Sequence, residues 1–105
     1  VSQPVIVTAI FTPVAGKKVE LIAALTATIP GVHAEEGCLL YAIHDAEDGT
    51  ITMLEKWESD ETLAAHASGE ATAALNAAID GTVIQPVVVT KMTPLLAGTA
   101  SQGAL

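Results

Sequence analysis

Two strand-like runs in this chain are apolar on both faces, and this limits the possible folds more than any other feature. In residues 5–12, VIVTAIFT, the side chains of Val5, Val7, Ala9 and Phe11 share one face, and Ile6 and Ile10 share the other, because successive side chains of a strand alternate. In residues 83–93, VIQPVVVTKMT, Val87 and Val89 oppose Ile84, Val88 and Met92. A one-sided antiparallel sheet alternates apolar with polar residues. A sheet made of these strands needs cover on both sides.

The rest of the chain supplies cover for one side. The first strand is bounded by Pro4 and Pro13; after Gly16, the residues Val19, Ile22, Leu25 or Thr26, and Ile29 recur at helical spacing up to Pro30. GVHAEEG (31–37) reads as a loop, CLLYAIH (38–44) as a second strand, and DAEDGT as a turn. TITMLEKWE (50–58) is a third strand, and the short connection makes the pair a hairpin. Ser59 is a good N-cap, followed by Asp60 and Glu61 where a helix dipole favours carboxylates. Gly69 interrupts this helix, Ala71, Ala74, Leu75 and Ala78 form the inner stripe of its continuation, and Gly81 ends it. Pro86 marks the last strand as an edge or bulged strand.

The order is β-α-β-β-α-β with the second helix in two pieces. That is an α+β, ferredoxin-like split-βαβ sandwich, with helices on one face of an antiparallel sheet. It occupies residues 1–98 as one domain, with a loose tail over 99–105. The other sheet face is left for another chain, and a sheet-to-sheet homodimer closes most simply. The composition agrees, being 50% hydrophobic and only 15% charged, more apolar than one small core requires.

Charge narrows the partners. Twelve carboxylates stand against four lysines and no arginine, a net charge of −8, so nothing here neutralises a row of phosphates and no nucleic-acid partner is expected. The bidentate guanidinium clamp for anionic substrates is missing too. A neutral, flat or phenolic ligand suits the chain better. The single cysteine, Cys38, allows no internal disulfide and fits a reducing compartment. No apolar run approaches the roughly 18 residues of a membrane span, and the N-terminal residues lack the pattern of a signal peptide. The expectation is a cytoplasmic, soluble protein with no membrane partner.

On the third strand Ile51, Met53, Glu55 and Trp57 share a face. On the following helix Leu63, His66 and Ala67 share a stripe, so a Leu63 facing the sheet carries His66 inward with it. If the face of Trp57 is the one under the helices, Trp57, Glu55 and His66 converge in one layer. The plain alternative is a core anchor beside a hydrogen-bonded core histidine. Tyr41 lies with Leu39 and Ile43, either as a core tyrosine with a tethered hydroxyl or as pocket lining. His44, on the opposite face, is expected in solvent or at the dimer contact, and His33 in a loop. Cys38 reads as a small apolar residue, and Glu35 and Glu36 as loop solvation. Three scattered histidines without HxH or HExxH spacing predict no metal site, and there is no glycine fingerprint for a dinucleotide or phosphate.

EEGCLLY (35–41) and LEKWESDETLAAH (54–66) together resemble the antibiotic biosynthesis monooxygenase-like family, including its quinol monooxygenase members. The resemblance runs from about Val5 to Pro94, and its core is E-x-W-x-S followed by L-x-x-H. It implies a dimeric α/β barrel with a pocket between sheet and helices in each subunit. It also implies oxidation of electron-rich phenols, quinols or anthrones by dioxygen without flavin, haem or metal. Some polyketide-tailoring members carry Asn and Tyr where this chain has Met53 and Leu63. The haem-degrading branch has a ligating His where this chain has Asn76 or a neighbouring Ala, and an Asn in the first strand that is missing here. Haem degradation is therefore disfavoured.

Under that resemblance the protein must remove a proton, hold the substrate anion in a dry pocket and admit dioxygen. With a phenol near ~10, an imidazole near ~6.5 and a carboxylate near ~4.3, proton transfer to His costs about 5 kcal/mol and to Glu about 8 kcal/mol. His66 is the expected base, Trp57 the flat wall of the pocket, and Glu55 the group that orients His66 or stabilises its charged form. Tyr41 would bond a substrate oxygen, with Met53 and Leu63 lining the site. The rivals are a non-catalytic ligand-binding or regulatory dimer for a hydrophobic metabolite, and an isomerase or decarboxylase using the same base.

Overall fold

The hairpin at the centre of the sequence is closed by a short hydrogen-bonded turn. Ala46 N–H donates to the Thr50 carbonyl at 2.9 Å, and the Asp48 carboxylate accepts from both the backbone N–H and the hydroxyl of Thr50. In the computed structural model, which describes residues 3–105, this turn joins β2 (Cys38–Asp45) to β3 (Ile51–Trp57). Val1 and Ser2 of the expected domain lie outside the described residues. The remaining elements are β1 (Val5–Pro13), α1 (Lys18–His33), α2 (Asp60–Ala67), α3 (Glu70–Ile79) and β4 (Val83–Met92). The sheet runs β2-β3-β1-β4 with antiparallel neighbours throughout, the expected ferredoxin-like α+β arrangement.

The register sets the faces. Val5 pairs with Trp57, Val7 with Glu55, Ala9 with Met53 and Phe11 with Ile51, so the buried residues of β1 and β3 stand directly opposite one another. They pack with Leu21, Leu25 and Val32 of α1 and Leu75 and Ile79 of α3 into one core. Each fully buried side chain of this kind contributes about 1.5–3 kcal/mol through apolar surface removed from water.

Three details depart from the sequence expectations. First, α1 does not stop at Pro30 but continues to His33. Pro30 is exposed, so the carbonyl left without its N–H partner lies on a face that water can reach. The buried stripe is accordingly Leu21, Leu25 and Val32, while Val19 is 80% exposed. His33 is therefore helical, and its Nε2 lies 2.9 Å from the Tyr41 carbonyl. Second, a register shift between Cys38 and Leu40 turns Leu39 outward, away from the face it was expected to share with Tyr41. Third, the inner residues of α3 are Leu75 and Ile79, with Ala74 and Ala78 exposed.

The outer sheet face is apolar and open. Ile10, Ile84, Val88 and Met92 are each between 37% and 54% exposed, and Ile10 pairs with Val88 across the β1–β4 ladder. The Pro86 expectation holds: β4 is an edge strand, and the β1–β4 register shifts opposite Gln85–Pro86. The tail forms a turn after Thr99, and Lys56 Nζ donates to the Leu105 carbonyl oxygen at 2.7 Å. No helix among the described residues is long and apolar enough to cross a membrane.

Candidate active site

His66 owes its position to the start of α2. The Ser59 hydroxyl accepts from Thr62 N–H while Thr62 Oγ1 accepts from Ser59 N–H, both at 3.2 Å, a reciprocal cap that fixes the first turn. Gly37 adopts φ +80°, and a Cβ there would collide with the Thr62 side chain, so the approach to β2 touches the helix directly. One turn further on, His66 is buried on the sheet-facing side of α2.

An aromatic cluster surrounds the imidazole. The Trp57 ring lies beneath it, centroid to centroid at 4.5 Å with planes tilted 30°. Tyr41 meets it edge-on at 5.4 Å. Glu35, in the α1–β2 connection, accepts a hydrogen bond from His66 Nδ1 at 2.6 Å. A Cβ at Gly69 would stand 3.1 Å from Glu35 Oε2, so the glycine that separates α2 from α3 also leaves room for this carboxylate. Thr72 of α3 donates its hydroxyl to the His66 carbonyl at 2.6 Å, and its oxygen lies nearly equidistant from the two ring nitrogens, 3.4 Å from Nδ1 and 3.3 Å from Nε2, in line with neither N–H.

A cavity of about 270 Å³ opens beside this cluster, between the sheet and α2–α3. Val7, Ala9 and Phe11 of β1 and Val87 and Val89 of β4 form its floor, with Leu63 and Leu75 above. Tyr41, Glu55, His66, Thr72 and Asn76 supply its polar groups. Val89 is 62% exposed, so the cavity reaches solvent on that side. An engineered apolar cavity of about 150 Å³ accepts benzene, so this volume suits one or two rings.

Four of the six residues singled out from sequence line the cavity: Tyr41, Glu55, Leu63 and His66. Trp57 and Met53 do not. Both are 0% exposed, and the indole packs against the imidazole at 4.5 Å without itself reaching the cavity. The flat walls of the cavity are instead Phe11 and Tyr41. Glu55 also differs from expectation, because its Oε1 accepts from the Trp57 indole N–H at 2.9 Å and it makes no hydrogen bond to His66. The carboxylate that orients the imidazole is Glu35, read from sequence only as loop solvation. No local spacing could reveal it, since 31 residues separate it from His66.

Burial pushes the Glu55 carboxyl above its ordinary 4.5, opposed by the indole hydrogen bond and by the nearby imidazole. Burial pushes the Tyr41 phenol up as well, assisted by Glu55 and Glu35. Tyr41 thus keeps its proton, and its hydroxyl has no hydrogen-bond partner among the described residues. It is available as a donor to an oxygen in the cavity. Cys38 is likewise raised by burial and by Glu35, which favours the neutral thiol. Among the described residues, no group of three or more His, Cys, Asp or Glu side chains is placed to hold a metal ion.

The family model described as antibiotic biosynthesis monooxygenase matches residues 4–78. The chain is similar to Rv0793 from Mycobacterium tuberculosis at 30% identity, covering 91% of this chain and 99% of that one with a TM-score of 0.82. It is similar to PA3566 from Pseudomonas aeruginosa at 26% identity, covering 90% and 96% with a TM-score of 0.79. A conserved protein from Methanosarcina mazei Go1 shares the fold at 18% identity, covering 87% and 92% with a TM-score of 0.80. No curated protein gives a match.

Proposed function

Because the chain belongs to the antibiotic biosynthesis monooxygenase family, we propose that it is a cofactor-independent monooxygenase acting on a small electron-rich aromatic, a phenol or quinol of one or two rings. The observation that carries this reading is His66. Its Nδ1 is committed to Glu35 at 2.6 Å, which leaves Nε2 to act as a base at the wall of an apolar cavity. Substrate and dioxygen balance without a further reductant: a phenol and O₂ give a quinone and water, and a quinol and O₂ give a hydroxyquinone and water.

His66 Nε2 takes the phenolic proton. The imidazolium that results keeps the Glu35 carboxylate as the acceptor at Nδ1–H, and its new Nε2–H faces the substrate oxygen that gave up the proton. Glu55, close enough for its charge to be felt by His66, adds to that stabilisation. Tyr41 donates to a substrate oxygen, and the apolar floor limits water around the electron-rich anion, which reduces dioxygen. Trp57 supports the imidazole from behind. The protomer pairs with a second copy through the open sheet face, which covers Ile10, Ile84, Val88 and Met92.

Oxygen uptake with a panel of one- and two-ring dihydroquinones and phenols tests the reading. His66→Ala is expected to lower the rate about 100-fold or more, within the usual range for a general base, while far-ultraviolet circular dichroism stays unchanged. Equal rates in the two proteins would reject the base, turnover without oxygen would indicate an isomerase or decarboxylase, and tight binding without turnover would indicate a ligand-binding module.

A further inference from the structure

His66 borders two hollows. One is the apolar cavity described above; the other is a depression on the far side of α2, lined by Glu35, Glu36, Glu61, Thr62, Ala65 and His66. Glu35 sits between the imidazole and this acidic depression, its side chain 22% exposed, and it does not line the apolar cavity. Its carboxylate therefore reaches the base from behind, with no contact to anything bound in the cavity.

The hydrogen bond decides which imidazole nitrogen holds the proton. A carboxylate can only accept, so at 2.6 Å from Glu35 Oε1 it is Nδ1 that carries the hydrogen. The lone pair of the neutral ring is then at Nε2. The nearest hydroxyl, that of Thr72, gives its hydrogen to the His66 carbonyl at 2.6 Å, so it does not compete for that lone pair. Both nitrogens are thus prepared, one holding a proton and the other free to receive one.

We propose that Glu35 is the positioning residue of this site, fixing His66 in the Nδ1–H tautomer so that Nε2 faces the reaction as a base, and balancing the imidazolium once the proton has moved. This rests on the reading of His66 as the base. It adds a residue that acts through His66 and touches no substrate. The Gly69 break is part of the arrangement, because a side chain there would crowd Glu35 Oε2.

The variant Glu35→Gln tests this in two separate ways. Gln keeps the shape, removes the charge, and can turn its amide N–H₂ toward Nδ1, which favours the opposite tautomer. In the ¹H–¹⁵N spectrum of the imidazole, the wild-type protein is expected to show Nδ1–H, and Glu35→Gln to show a major Nε2–H population. This measurement needs no turnover, so it stands even if no oxidisable substrate is found. With a dihydroquinone that the wild-type protein oxidises, kcat is expected to fall about 10- to 100-fold with KM within twofold, and Glu35→Asp to recover part of the loss. An imidazole spectrum identical in wild type and Glu35→Gln would overturn the proposal. So would a variant whose KM rises while kcat is unchanged, because that pattern belongs to a residue that binds substrate.

Discussion

Replacing Trp57 by Phe separates the two roles of the indole, filling the core and donating to Glu55. The side chain is 0% exposed, so the smaller ring leaves a void. Trp→Ala costs about 3–5 kcal/mol at buried sites, and retaining a phenyl ring should bring this to about 1–3 kcal/mol. The second loss is electrostatic. Glu55 is 5% exposed, and the indole N–H is its only hydrogen-bond donor among the described residues. A donor to a charged group is worth about 1.5–3 kcal/mol, against about 0.5–1.5 for a neutral pair. The cost should therefore depend on pH. The folded-state value of Glu55 lies above its ordinary 4.5, so Glu55 contributes stability while it is protonated, and that contribution is lost as pH rises through the folded value. Without the indole, which holds that value down, the loss is larger. Urea unfolding followed by circular dichroism, at fixed protomer concentration, should show Trp57→Phe losing about 1–2 kcal/mol more at pH 8 than at pH 4, below the ordinary carboxylate value. In a Glu55→Gln background that extra loss should disappear. An identical cost at both pH values, or an extra loss that survives in the Glu55→Gln background, would refute the coupling.

Two further outcomes follow from the same geometry. Tyr41→Phe removes a hydroxyl that has no hydrogen-bond partner among the described residues, so stability should change by less than about 0.5 kcal/mol, while affinity for a naphthol falls about three- to tenfold, the value of one hydrogen bond, as read by isothermal titration. Val88→Glu places a charge in the middle of the exposed apolar face. If this face joins two copies as proposed, analytical ultracentrifugation should show a wild-type dimer and a folded Val88→Glu monomer; a wild-type monomer, or two equal sedimentation coefficients, would refute that contact.

The fold was legible because its signals are local. The apolar strand VIVTAIFT between two prolines, the hairpin around Asp48 and Gly49, and the Ser59 cap each lie within about ten residues, and each appears in the structure. Pro30 misled because a proline on an exposed helix face interrupts one hydrogen bond without ending the helix. The site was legible where strand and helix periodicity apply: Glu55 and Tyr41 on their strands, Leu63 and His66 on one helix stripe. It was not legible where depth matters. Periodicity gives the side on which Trp57 and Met53 lie but not how far beneath the surface, and both are sealed under their neighbours. Glu35 is the clearest case. Its hydrogen bond joins the α1–β2 connection to α2, and nothing in the sequence around either residue signals it.

The proposed chemistry requires an aromatic ring to seat beside His66 in the hollow between sheet and helices. The most direct measurement is an oxygen-free NMR titration with 2-naphthol, following methyl groups and the imidazole. The prediction is saturable shifts at Leu63, Leu75, Val87 and the His66 ring. Shifts confined to Ile84, Val88 and Met92 on the outer face, or no shift at millimolar ligand, would contradict it.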